Sequence, residues 1–213
     1  MYVDLPRHFR GTHMSRFLEI LNKYRGEITL RRMGEILLEM KDVLEANCSH
    51  LEMSFPYFME KEAPVSKSKS FMRYDAFFVA SYKDEPDYIL GVRVPVTTLC
   101  PCSKEISYAG AHNQRSFIEI RVRYQKDNFV WLEELIDIAE SSASCEIYSL
   151  LKRPDEKYVT EKAYENPRFV EDVTRDVAQK LDEFEKVTWY YIEVENMESI
   201  HNHNAYAMIE RHK

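Results

Sequence analysis

The sequence predicts an α+β fold in which antiparallel sheets carry paired helices, laid out as two ββααββ-type blocks, the first lacking its opening strand pair. Three observations carry this. The apolar spacing switches in blocks between a helical period and a strand period. The strand blocks alternate apolar and polar residues, as half-buried antiparallel strands do. The chain holds only 5 glycines and no G-x-x-x-x-G-K or G-x-G-x-x-G string, which argues against P-loop and dinucleotide-binding folds.

Taken in order, Phe17, Ile20, Leu21 and Tyr24 line one face of a helix that ends near Gly26. Leu30, Met33, Leu37, Met40 and Leu44 continue the period in a second helix, joined to the first by a short turn. Leu51, Met53 and Phe55 then alternate with polar neighbours, and Phe71 to Tyr82 is a long aromatic and apolar strand. Between them Glu62 to Lys69 reads as a polar hairpin loop. Ile89 to Thr97 is a valine-rich strand. Phe117, Ile118, Ile120 and Val122 interleave with Glu119, Arg121 and Arg123 in the next. Leu132, Leu135, Ile136 and Ala139 restore the helical period. A stronger helix is expected to start at Asn166-Pro167, as N-cap and first-turn proline, and to run through Val170, Val173, Val177, Leu181 and Phe184. Trp189 to Val194 and Ala205 to Ile209 close the chain as strands. The order is ααββ followed by ββααββ, dividing the chain into a first module at 1–86, incomplete at its start, and a second at 87–213.

The 213 residues carry a net charge of −7, which disfavours non-specific nucleic-acid binding but leaves room for a local basic cluster facing an anionic small molecule. No run of about 18 apolar residues occurs, so no membrane-spanning helix is expected, and MYVDLPRHFRGTHMSRF lacks the apolar core of a signal peptide. Cys48, Cys100, Cys102 and Cys145 read as free thiols, which suits a reducing cytoplasm.

Four segments carry chemistry. LCPCSKEISYAGAHNQRS, residues 99–116, lies between two strands and offers two thiols, an imidazole, Lys104, Glu105 and Arg115. Thiolate and neutral imidazole are zinc ligands, so one cysteine with His112 could supply two of three ligands around an open position. The spacing is equally open to a buried cysteine pair with a capping histidine. MESIHNHNAYA, residues 197–207, places His201 and His203 at the junction of the last two strands, where alternation could turn both rings to one side. Histidine there suits general acid–base work, or an exposed polar turn. CEIYSLLKRPDEKYVTE, residues 145–161, holds the best basic cluster, Lys152, Arg153 and Lys157, bracketed by Glu146 and Glu161. A triphosphate would need such a cluster, and a glutamate could accept from the adjacent N–H groups of a guanine; a solvated charged loop is the plain alternative. GTHMSRF, residues 11–17, puts Thr12, His13, Ser15 and Arg16 at a helix start, which favours anions or ordinary capping by Thr12 or Ser15.

Together, GTHMSRF, PVTTLCPCSKEISYAGAHNQRS, LLKRPDEKYVTEKAYENPRFVED and ESIHNHNAYA resemble the type IB GTP cyclohydrolase I family, in that family's order and across nearly the whole chain. The resemblance implies the tunnelling fold, in which ββααββ modules assemble into a toroidal oligomer, here two modules per subunit, a homotetramer, and active sites at subunit interfaces. It also implies an upstream segment long enough for the missing strand pair. The implied activity is a hydrolase acting on a cyclic amidine, turning GTP and water into formate and 7,8-dihydroneopterin triphosphate, a step that feeds folate or deazapurine synthesis. By the same resemblance Cys100, His112 and Glu146 are metal ligands and Cys102 a catalytic thiol. Glu161 anchors the guanine edge, and His201 or His203 is the catalytic histidine. Lys152, Arg153, Arg115 and His13 stand as further substrate contacts. Zinc and manganese lead as the metal, with iron a third candidate. Two rivals share the fold. An NADPH-dependent nitrile reductase of deazapurine synthesis would continue its Glu-Ser pair with lysines and aromatics, whereas Glu198-Ser199 is followed by Ile200-His201. A non-catalytic purine-binding protein would have no need of the thiols and histidines.

Overall fold

A computed structural model of the chain describes residues 1–26, 29–125 and 128–213; the side chains of Leu30 and Arg31 also lie outside the description. In chain order the elements are β1 (Tyr2–Asp4), α1 (Met14–Lys23), α2 (Leu30–Val43), β2 (Cys48–Glu62), β3 (Lys69–Tyr82), β4 (Pro86–Leu99) and α3 (Pro101–Ile106). There follow β5 (Asn113–Tyr124), α4 (Leu132–Ser142), β6 (Cys145–Glu146), α5 (Arg153–Glu165), α6 (Val170–Glu183), β7 (Val187–Asn196) and β8 (Ala205–His212). The strands are ordered β1-β2-β3-β4-β5-β7-β8, with β6 on β4. This is the expected α+β architecture of antiparallel strands and paired helices. The chain resolves into two compact units, Met1–Ser54 with Phe77–Leu90, and Phe55–Ala76 with Gly91–Lys213.

In the first unit α1 packs against α2. Phe17, Ile20 and Tyr24 are buried as their spacing predicts, while Leu21, at the margin of the stripe, stays exposed. Met33, Ile36, Leu37, Met40 and Leu44 form the buried face of α2. Thr29 caps that helix by accepting from Arg32 N at 3.4 Å. The short turn expected between the helices includes residues 27 and 28, which lie outside the described residues. A Cβ at Gly34 would sit 2.8 Å from the Tyr88 hydroxyl, so that side-chain tip would have to shift to admit one. The N-cap of α1 is His13, and its side chain makes no capping bond, so neither Thr12 nor Ser15 fills that role.

In the second unit β7 runs between β5 and β8, with Ile120 opposite Ile192 and Ile192 opposite Ile209. Ile118, Ile120, Val122, Ile192 and Val194 are buried on its inner face. There α6 packs through Val173, Val177 and Leu181, and it also contacts α4, which buries Leu135, Ile136 and Ala139. The start of α6 differs from expectation. Asn166 is not its N-cap but the C-cap of α5, and the Asn166 amide donates to the carbonyls of Ala143 and Ser144 at 3.0 and 3.3 Å. The helix instead starts at Val170, with the Asp172 carboxylate accepting from Phe169 N. Pro167 therefore lies in the connection, where it can follow a helix end but not extend it.

The stretch for which a solvated charged loop is the alternative to a binding segment leads into the thirteen-residue helix α5. Its N-terminus is closed by Asp155, which is fully buried and accepts from Lys152 N at 2.9 Å. The same carboxylate accepts from Val65 N and Ser66 N at 2.8 Å in the β2–β3 loop. Burial would push this carboxyl up, but the bonds from Ser66, Lys152 and Val65 outweigh it and hold it well below the ordinary carboxylate range.

Candidate active site

Cys100 closes the buried run of β4 and becomes the N-cap of α3. The local sequence explains the turn. Pro101 has no N–H to lose at the first helical position and is already set in φ. The Cys100 sulfur accepts weakly from Ser103 N at 3.5 Å, and its carbonyl accepts from Ser103 Oγ at 3.2 Å. His112 is tied to the same knot. Cys100 N donates to the His112 carbonyl at 3.1 Å, and His112 N donates to Ser103 Oγ at 3.2 Å. Thus 12 residues of chain return to their starting point, bringing thiol and imidazole to one end of β4 and β5. Cys100 is half-buried and Cys102 exposed.

The second dense segment meets the first through one side chain. His112 Nδ1 lies 3.3 Å from Ser199 Oγ, in the turn between β7 and β8. That turn is anchored by Met197 N donating to Arg115 O at 2.9 Å and by Asn204 donating to Glu195 at 2.8 Å. On it the rings of His201 and His203 stack at 5.3 Å with 17° between planes, both exposed.

A cavity of ≈ 200 Å³ opens beside Cys100, lined among others by Gln114, Arg168, Asn196 and Glu198. Behind it runs a buried polar chain. Gln114 Nε2 donates to Thr98 Oγ1 at 2.9 Å, Thr98 and Ser116 hydroxyls meet at 2.7 Å, and Ser116 donates to Asn196 Oδ1 at 2.7 Å. The direction is forced: Ser116 spends its proton on Asn196, so Thr98 must donate to Ser116 and the Gln114 oxygen is left facing away. That Oε1 is buried with no partner among the described residues.

Glu146 sits elsewhere in this unit, on β6, opposite Val96. Lys61, on β2, reaches it at 3.3 Å and holds Glu140 at 2.8 Å through both carboxylate oxygens. Tyr74 also donates to Glu140 at 2.8 Å, and the Lys61 ammonium lies 4.5 Å from the Tyr148 ring centroid. Lys162, from α5, donates to the other Glu146 oxygen at 3.1 Å. Burial pushes the Glu146 carboxyl up, but a hydrogen bond from Tyr148 and the two ammoniums outweigh it and hold it down to about 2. Glu146 is therefore a fully ionised carboxylate already engaged by two cations.

The remaining candidates are dispersed. Glu161 is exposed on α5 and faces Lys157 at 3.7 Å, the helical i,i+4 spacing. Lys152 and Arg153 are exposed at the start of α5, and Arg115 is exposed on β5. His13 is exposed at the start of α1 in the first unit. Among the described residues, the trio of Asp, Glu, His or Cys ligand atoms lying within 4.8 Å of one another is Asp4, Cys48 and His50, not Cys100, His112 and Glu146.

The family model described as type I GTP cyclohydrolase folE2 matches residues 1–207. The chain belongs to that family. GTP cyclohydrolase FolE2 of Geotalea uraniireducens is 61% identical over 213 residues, spanning 100% of this chain and 78% of the relative. The like-named protein of Nitrosococcus oceani is 60% identical over 214 residues, spanning 100% and 79%. Among solved structures, urate oxidase from Bacillus sp. TB-90 superposes with a TM-score of 0.58 over 95% of this chain and 79% of its own, at 11% identity. Uricase from Arthrobacter globiformis gives 0.53 over 93% and 75%, at 8% identity. At such low identity the likeness is one of fold, and the fold is the tunnelling fold expected from the motifs.

Against this cyclohydrolase frame, sequence reading missed Lys61, Glu140, Gln114 and Lys162. Gln114 carried a signal. The inward alternation of Ile118, Ile120 and Val122, extended backwards by two and four residues, turns Ser116 and Gln114 inward too. Lys61 carried none, because its environment is assembled from β6 and α4, some 80 residues later in the chain.

Proposed function

We propose that this chain hydrolyses GTP to formate and 7,8-dihydroneopterin triphosphate, acting as a GTP cyclohydrolase I. The observation that carries the reading is the knot of Cys100, Ser103 and His112, with Ser199 joining it to the turn of His201 and His203. Cys100, at one end of this knot, also lines a cavity of ≈ 200 Å³.

In this reading Cys102, exposed on the first turn of α3, is the catalytic thiol. One of His201 and His203 moves the proton to and from the purine ring nitrogen as the imidazole ring opens. Glu161 grips the guanine edge, while Lys152, Arg153, Arg115 and His13 meet the triphosphate. Exposure of these groups suits sites completed by a second subunit, as in a homotetramer acting in the cytoplasm. The module division at 1–86 and 87–213 belongs to the same reading.

Metal dependence, on zinc or manganese or else iron, is also proposed. Cys100 and His112 fit such an ion: among the described residues the thiol accepts one weak bond and the imidazole Nε2 has no partner. Glu146 fits in donor type, but its oxygens are held by Lys61 and Lys162, and Lys162 must give way first. A bound ion would supply Lewis acidity and a water of lowered pKa.

The test is formate release from GTP, with fluorescent pterin after oxidation, run with zinc and with manganese. Absence of formate under both would refute the activity. Cys100→Ala should lose metal and turnover together, and a variant keeping full metal content would remove Cys100 from the ligand set.

A further inference from the structure

β1 and the start of β2 form an antiparallel ladder, with Tyr2 opposite His50 and Asp4 opposite Cys48. Alternation sends Cys48, His50 and Glu52 to one face of β2, while Ser49 and Leu51 are buried on the other. Asp4, directly across from Cys48, adds its carboxylate to that face. A carboxylate oxygen, a thiol sulfur and an imidazole nitrogen consequently lie within 4.8 Å of one another.

The imidazole is oriented rather than loose. The Tyr2 ring lies against His50 at 4.6 Å with 11° between planes, and Tyr2 is itself pinned by its hydroxyl donating to Glu52 at 2.7 Å. His50 Nε2 is 3.1 Å from Asp4 Oδ2. The Cys48 sulfur makes a long contact, 3.8 Å, to the carbonyl of the next residue. None of the three has a part in the GTP chemistry above.

We propose that Asp4, Cys48 and His50 form a divalent-cation site, separate in its residues from Cys100, His112 and Glu146, that takes a borderline ion of the zinc class. Sulfur, imidazole nitrogen and carboxylate oxygen are the zinc ligand types, and three of them with one open position make an exchangeable site. Magnesium and calcium prefer all-oxygen shells and would not select a thiol and an imidazole. The Asp4 side chain is 63% exposed, so water reaches the fourth position. A three-residue strand closing on two ligands of a neighbouring strand also means that ion binding and the β1–β2 pairing reinforce each other.

The probe is cobalt(II) alone, added to the full chain carrying Cys100→Ala and Cys102→Ala. The thiols left are Cys48 and Cys145, the latter only 2% exposed. One equivalent of cobalt should bind with a thiolate-to-cobalt charge-transfer band, and a further Cys48→Ser or His50→Ala should abolish the band. Asp4→Asn, at an exposed position that leaves the fold intact, should weaken cobalt binding at least about tenfold, as loss of even an outer-shell partner does elsewhere. No band in the double variant, or a band that survives Cys48→Ser, overturns the site. No GTP is involved, so failure of the cyclohydrolase reading would leave these outcomes unchanged.

Discussion

The cluster of Lys61, Glu140 and Glu146 and the knot of Cys100, His112 and Ser199 are built on opposite principles. In the first, the side chains of Lys61, Glu140 and Glu146 are 8%, 6% and 25% exposed, and Lys61 draws both of its carboxylate partners from distant chain. In the second, thiols and imidazoles are partly or wholly exposed, and they are held through backbone groups and the hydroxyls of Ser103 and Ser199. The difference separates two uses of polar groups. A buried charge must be fully paired to be tolerated, whereas a group that is to meet a substrate must keep a valence open. The first arrangement is read in stability and the second in turnover.

The largest effect expected is on turnover. Cys102→Ala should lower formate release by about a hundredfold or more, the scale of a lost acid–base or nucleophilic group, with a thermal midpoint near that of the parent. A variant as unstable as it is inactive would erase the contrast. Lys61→Met should do the reverse in the cell and the cuvette. It strands the buried Glu140 carboxylate and should cost about 3–5 kcal/mol in chemical denaturation. Adding Glu140→Gln should return part of that loss, because the orphaned charge goes with it.

Asp155→Asn sharpens the comparison through pH. The folded carboxyl lies below its unfolded value, so the unfolded chain takes up more protons and stability rises with pH. The clamp is complete above an unfolded pKa of about 3.9 and fades as pH falls toward the lower folded value. The midpoint gap between Asp155→Asn and the parent should therefore be constant near neutrality and narrow below about pH 4. A gap that stays constant in acid would assign the effect to shape, not charge. The smallest change is expected from Lys162→Gln, whose side chain is 39% exposed. Stability should move by less than about 1 kcal/mol, while metal titration should show severalfold tighter binding, since Glu146 loses one competing cation.

Much of the fold is legible in residue spacing. The buried faces of α1, α2, α4 and α6 and the inner residues of β5 and β7 follow from period alone. What misleads is local chemistry with two meanings. Asn166-Pro167 has the composition of a helix start, yet the Asn166 amide is taken up by carbonyls of a preceding loop and ends α5 instead. Helix α5 escapes notice because it buries only Asp155 and Ala163, too few to set a period. At the site, Cys100, Cys102, His112, His201 and His203 stand out by residue type. Lys61 and Glu140 do not, since an ion pair closed across 79 residues leaves no mark on its neighbours in sequence.

The Asp155 clamp has a consequence for the order of synthesis. Val65 and Ser66 precede their acceptor by 90 and 89 residues, so the hairpin tip emerges from the ribosome long before the carboxylate that will bind it. During that interval its two N–H groups lack the acceptor they have in the finished fold. Helix α5, with Glu161 and Lys162 on it, can close its own start through Lys152 N, and its tie to the hairpin forms once Asp155 is made. Translation pauses or truncations between residues 66 and 155 leave that hairpin without its latch.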